Sequence, residues 1–454
     1  MTLNVVILAA GQGSRMRSDL PKVLHPVGGC PMVAHVIAAA NALEPAKIVI
    51  VYGHGGDMVK QSIAGDNVLW AEQAEQKGTG HAVMMALPYL DADSTTLILY
   101  GDVPLIKSST LAELVASANN HPALLTATLV NSTGYGRVVR GVNGDFERVV
   151  EQKDAAPEEL AIAEVNTGVL AVPTGLLMRY LPQVRNSNAQ GEYYLPDILP
   201  MAREDGLVVN TVSVSDALET EGVNTKVQLA KLERAYQARV IEDLMAEGLA
   251  CADPSRIDIR GKVSVGRDCF VDVNVVFEGD VVLGDRVVIE PNSVIRSSTI
   301  GSGTRICAMS HLEDAVIGDD AIIGPFARLR PGTQLANKTK IGNFVETKKA
   351  VLGEGSKVNH LSYIGDAQLG ANVNVGAGTI TCNYDGANKF VTTMGDNVFI
   401  GSNSTLVAPV EIETDGFVGA GSVVTKAVNE GELAIGRAKQ RNISGWKRPV
   451  KGDK

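Results

Sequence analysis

The chain has 454 residues, 45% of them apolar, enough for about three domains of roughly 150 residues and a sizeable core, which excludes fibrous and disordered classes. Lysine and arginine number 41 against 51 aspartates and glutamates, a net charge of −10, and so acidic a chain is not built to bind the phosphate backbone of nucleic acid. Five cysteines at 30, 251, 269, 307 and 382 contain no Cys-x-x-Cys pair, so neither a disulfide framework nor a zinc cluster is indicated, and a reducing cytoplasm fits.

The first apolar run, Val5–Ala10, has no basic residue before it and is too short for a bilayer span or a signal core, so a soluble, unsecreted protein without stable membrane association is expected. From residue 4 to about 210, β-rich runs such as Asn4–Leu8, Lys47–Val51 and Thr96–Tyr100 alternate with helical stretches such as Met32–Ala42, the pattern of a doubly wound, mostly parallel sheet. Gly11 and Gly13 directly follow the first strand, with Arg15 and Lys22 beyond. Glycines there let backbone N–H groups approach phosphate oxygens. Position 16 is Met, so the dinucleotide fingerprint fails, and the Gly-Lys-Ser/Thr of a phosphate loop is missing. An ordinary strand-to-helix turn stays open beside a phosphate site. Asp102 lies at the carboxyl end of the strand ending at Tyr100, where a carboxylate can hold Mg²⁺ or simply cap a turn. Asn224 is equally a metal ligand or a helix N-cap.

Residues Thr225–Glu247 place Leu229, Leu232, Tyr236, Val240 and Leu244 at spacings of three and four, predicting one long amphipathic helix ended by Ala-Asp-Pro at 252–254. Beyond it an aliphatic residue recurs every six positions, as in Ile317, Ile323, Leu329, Leu335 and Ile341, or Met394, Ile400, Leu406, Ile412, Val418 and Val424. That period is the hexapeptide β-helix, one short strand and a turn per unit. With 4% aromatics and 47 glycines, the core is small and β-branched. The phase slips over Thr381–Thr393, so a loop protrudes there, and interruptions of a solenoid are where function is expected. His360 is one of seven histidines; it is either an exposed polar residue or a base. Cys382 has no base beside it in sequence and reads as a bystander.

Several strings carry a resemblance. Leu8-Ala-Ala-Gly-Gln-Gly-Ser-Arg-Met16, Leu20-Pro-Lys-Val-Leu24, Gln73 with Gly78-Thr-Gly-His81, Tyr100-Gly-Asp102, Gly134-Tyr-Gly136, Glu151 and Asn166-Thr-Gly168 are similar to sugar-phosphate nucleotidyltransferases. Together with the solenoid and Lys357-Val-Asn-His-Leu-Ser-Tyr-Ile-Gly365, nearly the whole chain resembles the bacterial bifunctional N-acetylglucosamine-1-phosphate uridylyltransferase / glucosamine-1-phosphate N-acetyltransferase family. The resemblance implies a Rossmann-like nucleotidyltransferase domain at 1–224, a linker helix at 225–250 and a left-handed parallel β-helix acetyltransferase domain with a tail at 251–454.

It further implies that UTP and the sugar nucleotide are bound by Leu8, Ala9, Ala10, Gly11, Lys22, Gln73, Gly78, Thr79, Tyr100, Gly101, Asp102, Gly136, Glu151, Asn166 and Asn224, with Mg²⁺ on Asp102 and Asn224 and Arg15 and Lys22 assisting catalysis. Glucosamine-1-phosphate would be bound by Arg330, Lys348, Tyr363, Asn374, Asn383 and Tyr384, acetyl-CoA by Ala377, Ser402, Ala420 and Arg437, and His360 would be the general base. The expected protein is a cytoplasmic homotrimer that acetylates glucosamine-1-phosphate and then joins N-acetylglucosamine-1-phosphate to UTP, supplying peptidoglycan and lipopolysaccharide precursors. Two other readings compete: a single-function sugar-phosphate nucleotidyltransferase with a structural β-helix, and an inactive scaffold. Lys348, His360 and the Asn383-Tyr384 loop speak against the first, and retention of Arg15, Lys22, Asp102 and His360 against the second.

Overall fold

A computed structural model describes residues 2–53, 55–63, 68–448 and 451. The chain divides into two compact units, Met1–Gln237 and Ala238–Lys454, with the division inside the helix Lys226–Ala246.

The first unit is built on nine strands: β1 (Leu3–Ala9), β2 (Lys47–Tyr52), β3 (Val68–Glu72), β4 (Thr95–Tyr100), β5 (Ala123–Thr128), β6 (Arg137–Arg140), β7 (Phe146–Val150), β8 (Glu164–Pro173) and β9 (Asn210–Ser213). Their order is β9-β5-β8-β4-β1-β2-β3, with β6 beside β8 and β7 beside β6. The pairs around β1 are parallel, whereas β8 runs antiparallel to both neighbours. Because successive strand residues point to opposite faces, Val5, Ile7 and Ala9 join one core and Val6 and Leu8 the other. Burial on both faces explains why these strands read as continuous apolar runs. From β1 the chain moves to β2 and β3 on one side, while β4 lies on the other, and the crevice beyond such a reversal is where ligands of open α/β sheets bind. Leu8 faces Tyr100 across the two carboxyl ends.

The second unit is a parallel solenoid of an eleven-stranded and a fifteen-stranded sheet. Two-residue strands such as Ile322–Ile323, Arg328–Leu329 and Gln334–Leu335 follow one another six residues apart. A full turn takes 17 or 18 residues, as in Ile306 facing Ile323 and Ile323 facing Ile341. The sixth-position aliphatics point inward and form one continuous core. Between Ala367 and its neighbour Thr392 the turn lengthens to 25 residues, which is the protruding loop expected from the phase slip.

Most non-glycine residues at left-handed corner positions of the solenoid are Asn or Asp, whose side chains tolerate that conformation. Met309, Phe326, Phe344 and Leu361 are exceptions, with φ between +47° and +61°, and each is about half exposed or more. They occupy one corner of successive coils, and the rings of Phe326 and Phe344 stack 5.2 Å apart.

Candidate active sites

The turn after β1 brings two cations to one point. Gly13 adopts φ +63°, and a Cβ there would come within 2.7 Å of Lys22 Cβ, so only glycine lets Lys22 pack under the turn. Lys22 then donates to the Asp102 carboxylate and, at 3.2 Å, to Asn224 Oδ1, while Arg15 donates to the same amide oxygen at 2.9 Å. Asn224 is not consumed as a helix cap: Thr225 Oγ1 accepts from the Gln228 N–H at 3.2 Å, and Gln228 Oε1 accepts in return from the Asn224 N–H at 2.9 Å. That reciprocal capping leaves the Asn224 side chain facing the cations.

These groups line a cavity of about 560 Å³ with Leu8, Ala9, Ala10, Gly11, Gln73, Gly78, Thr79 and Tyr100. Gly101 stands behind it, donating its N–H to Leu8 O at 2.9 Å and so tying the ends of β1 and β4 together. Among the described residues no group of three His, Cys, Asp or Glu forms a metal cluster. One carboxylate and one amide oxygen nevertheless suit Mg²⁺, which keeps water and phosphate oxygens in most of its shell.

Gly136, Glu151 and Asn166 gather beside this cavity. The register of β8 slips between Asn166 and Leu170, a bulge held by Asn166 Oδ1 accepting from the Gly168 N–H at 2.8 Å. Asn166 N–H donates to Gly136 O at 2.9 Å, and a Cβ at Gly136 would lie 2.9 Å from Glu151 Oε1. Glu151 lines a second cavity of about 260 Å³ with Asp154, Asn188, Tyr194 and Asp197. Burial raises the Glu151 carboxyl, with Asp154, Asp197 and Glu192 adding to the effect and Arg137 opposing it. Asp197 is pushed up to about 6 by burial and then by Asp154. Burial likewise raises the Tyr100 hydroxyl, reinforced by Glu151 and Asp102.

In the solenoid, Asn343 and His360 are partners in adjacent strands. Ala377, Ser402, Ala420 and Arg437 continue that column through later coils: Gly378 N–H donates to His360 O, Asn403 N–H to Ala377 O and Gly421 N–H to Ser402 O, and the Arg437 guanidinium donates to Ala420 O at 2.5 Å. Gly401 precedes Ser402 because a Cβ there would stand 2.4 Å from Ala420 N.

A second group gathers on the other sheet. Arg330 N–H bonds to Thr347 O, and Lys348 pairs with Gly365 in the next coil. Tyr363 packs over Gly365, where a Cβ would meet the phenol at 2.3 Å. The inserted loop is anchored by Asn383 Nδ2 donating to Asp366, and Tyr384 pairs across it with Lys389. The Lys389 ammonium close beside it, then burial and Arg330, hold Lys348 below the usual lysine range, while Asp366 opposes them. Asn374 lies on the sheet that carries His360, paired with Lys357 and Phe399.

Further residues join these sites. Tyr135 and Thr167 lay within quoted motifs, Lys389 within the phase slip. Glu192, Thr220 and Gln228 reach the first cavity only through tertiary folding.

Fold and sites together define a nucleotide transferase domain joined to a hexapeptide-repeat transferase. Residues 5–163 match the MobA-like NTP transferase domain, 262–297 the bacterial transferase hexapeptide (six repeats) and 391–426 the hexapeptide repeat of succinyl-transferase; the solenoid is the left-handed parallel β-helix of such repeats. Relatives named bifunctional protein GlmU are 56% identical in Chromobacterium violaceum, 58% in Marinobacter nauticus and 57% in Idiomarina loihiensis, each over 450 residues and 99% of both chains. The chain belongs to the GlmU family of bifunctional proteins.

Proposed function

We propose that the chain is a two-site enzyme of UDP-N-acetylglucosamine synthesis, acetylating glucosamine-1-phosphate from acetyl-CoA and then transferring a uridylyl group from UTP to N-acetylglucosamine-1-phosphate with release of pyrophosphate. Residues 1–224 carry uridylyl transfer, 225–250 link, and 251–454 carry acetyl transfer. The observation that supports this best is full-length likeness to bifunctional relatives combined with a separate polar constellation in each unit. The product serves peptidoglycan and lipopolysaccharide synthesis.

In the first site, the backbone after β1 with Gln73, Gly78 and Thr79 holds the nucleoside, and Tyr100, Gly136, Glu151 and Asn166 hold the sugar. Arg15 and Lys22 place and neutralise the triphosphate while a sugar-phosphate oxygen attacks the α-phosphorus in line and pyrophosphate departs. Asp102 and Asn224 would hold Mg²⁺, which when bound draws phosphate oxygens together and neutralises developing charge. In the second site, Arg330, Lys348, Tyr363, Asn374, Asn383 and Tyr384 hold the amino-sugar phosphate, and Ala377, Ser402, Ala420 and Arg437 run beside acetyl-CoA. His360 takes the proton from the amine as it attacks the thioester carbonyl and the coenzyme thiol leaves.

The working form is a trimer, supported by the exposed, conformationally strained apolar corner Met309-Phe326-Phe344-Leu361 beside His360. A cytoplasmic location is supported by five free cysteines, and among the described residues no helix is long and apolar enough to cross a membrane.

The test is to mix the full chain with glucosamine-1-phosphate, acetyl-CoA, UTP and Mg²⁺ and follow free thiol and pyrophosphate separately. Both should appear. Pyrophosphate alone, and only when N-acetylglucosamine-1-phosphate is supplied, would reduce the chain to a nucleotidyltransferase with a structural β-helix.

A further inference from the structure

Gln73 lines the first cavity yet is only 3% exposed, so its amide orientation is set by the protein. Its nitrogen stands 3.1 Å from Gly78 O and 3.1 Å from His81 Nδ1. A backbone carbonyl only accepts, so the Gln73 atom facing Gly78 is Nε2. An amide nitrogen only donates, so His81 Nδ1 is the unprotonated ring nitrogen, and the neutral imidazole carries its proton on Nε2. Both amide hydrogens of Gln73 are thereby engaged. The atom left for a ligand is Oε1, an acceptor.

His81 is itself firmly placed. It sits in the first turn of the helix Thr79–Ala86, whose start is joined to a neighbouring strap by Gly80 N–H to Tyr193 O and Tyr193 N–H to Lys77 O, both at 2.8 Å. Gly78, at φ +104°, has no room for a side chain, since a Cβ would stand 2.7 Å from Tyr193 O.

We propose that His81 is a positioning residue for base selection, locking the Gln73 amide so that Oε1 accepts from the ring N–H of a uracil-type base. Cytosine presents a bare ring nitrogen at the corresponding place, and two acceptors facing each other leave both unpaired, which a desolvated site rejects. Without His81 the amide keeps the single bond to Gly78 and rejects cytosine less strongly. This rests on the nucleotide reading given above.

The experiment uses the full chain with N-acetylglucosamine-1-phosphate and compares kcat/KM for UTP and CTP in wild type, His81→Leu and His81→Asn, reading pyrophosphate. The preference for UTP should fall about tenfold in His81→Leu, the order expected for one lost hydrogen bond. It should stay within about twofold of wild type in His81→Asn, whose Oδ1 supplies an acceptor in place of Nδ1. An unchanged preference in His81→Leu would overturn the inference. Nitrogen-15 NMR of the imidazoles in the wild-type chain gives a second reading that no variant has to survive: His81 should show an unprotonated Nδ1, and a proton on Nδ1 would overturn the arrangement. Wild type that turned over neither nucleotide would instead remove the nucleotide reading, and the inference with it.

Discussion

Asn343 and His360 stand at one position of successive coils, and Asn343 Oδ1 lies 2.8 Å from His360 Nδ1. An amide oxygen only accepts, so Nδ1 carries the ring proton and Nε2 presents its lone pair, the form a general base requires. Asn343→Ala should therefore slow acetyl transfer by about tenfold through loss of one orienting hydrogen bond, leaving pyrophosphate release unchanged. Thiol release at wild-type rate would show that Asn343 does not orient the base.

Lys348 makes a second prediction. Contact with Lys389 lowers its pKa, so its positive charge is complete at low pH and is lost, as pH rises, earlier than for an ordinary lysine. KM for glucosamine-1-phosphate should climb at a pH below the usual lysine range, and Lys389→Ala should move that climb to higher pH. Coincident profiles for the two proteins would contradict the pairing.

Asp197 provides a stability test. Its carboxyl is pushed up to about 6 by burial and then by Asp154, above the unfolded value of about 3.9. The bound proton then favours the folded state, fully so below the unfolded value, and that contribution is lost as pH rises through about 6. Asp197→Asn should raise the melting temperature of the first unit by about 2 °C at pH ~7.5 and leave it unaltered near pH ~4. Equal effects at both pH values would point to packing instead.

The corner Met309-Phe326-Phe344-Leu361 carries the fourth. Phe344→Asp places a charge on an exposed aromatic pair and should dissociate the proposed trimer in sedimentation, lowering acetyl transfer while sparing pyrophosphate release. A fully acetylating monomer would contradict the role of this corner.

Much of this was legible because it depends on period and local chemistry. The six-residue spacing from Ile317 to Ile341 marked the inward positions directly, and the alternation of Val5, Val6, Ile7 and Leu8 between two cores is the ordinary consequence of a strand buried on both faces. Ambiguity remained where one residue type serves two chemistries. Asn224 reads equally as a metal ligand and as a cap in sequence, and only the bond between Thr225 and Gln228 in the folded helix shows that the cap lies one residue later. Glu192 has no signal of its own and Lys389 none beyond its place in the phase slip, since each acquires its neighbours through a segment that folds back over a distant strand or coil. Arg137, 2% exposed beside Glu151, was likewise hidden, because burial of a charge cannot be read from its flanking residues.

The central claim is that two chemistries reside at two independent sites, and the most direct measurement follows thiol and pyrophosphate release in Asp102→Ala and His360→Ala side by side. Asp102→Ala removes the carboxylate of the constellation around Lys22 and should lower pyrophosphate release by about 10² or more with thiol release intact. His360→Ala should lower thiol release by about 10² to 10⁴ with pyrophosphate release from N-acetylglucosamine-1-phosphate intact. A variant that loses both activities while still folded and in the wild-type oligomeric state, or either variant that keeps the activity assigned to its residue, would contradict the account.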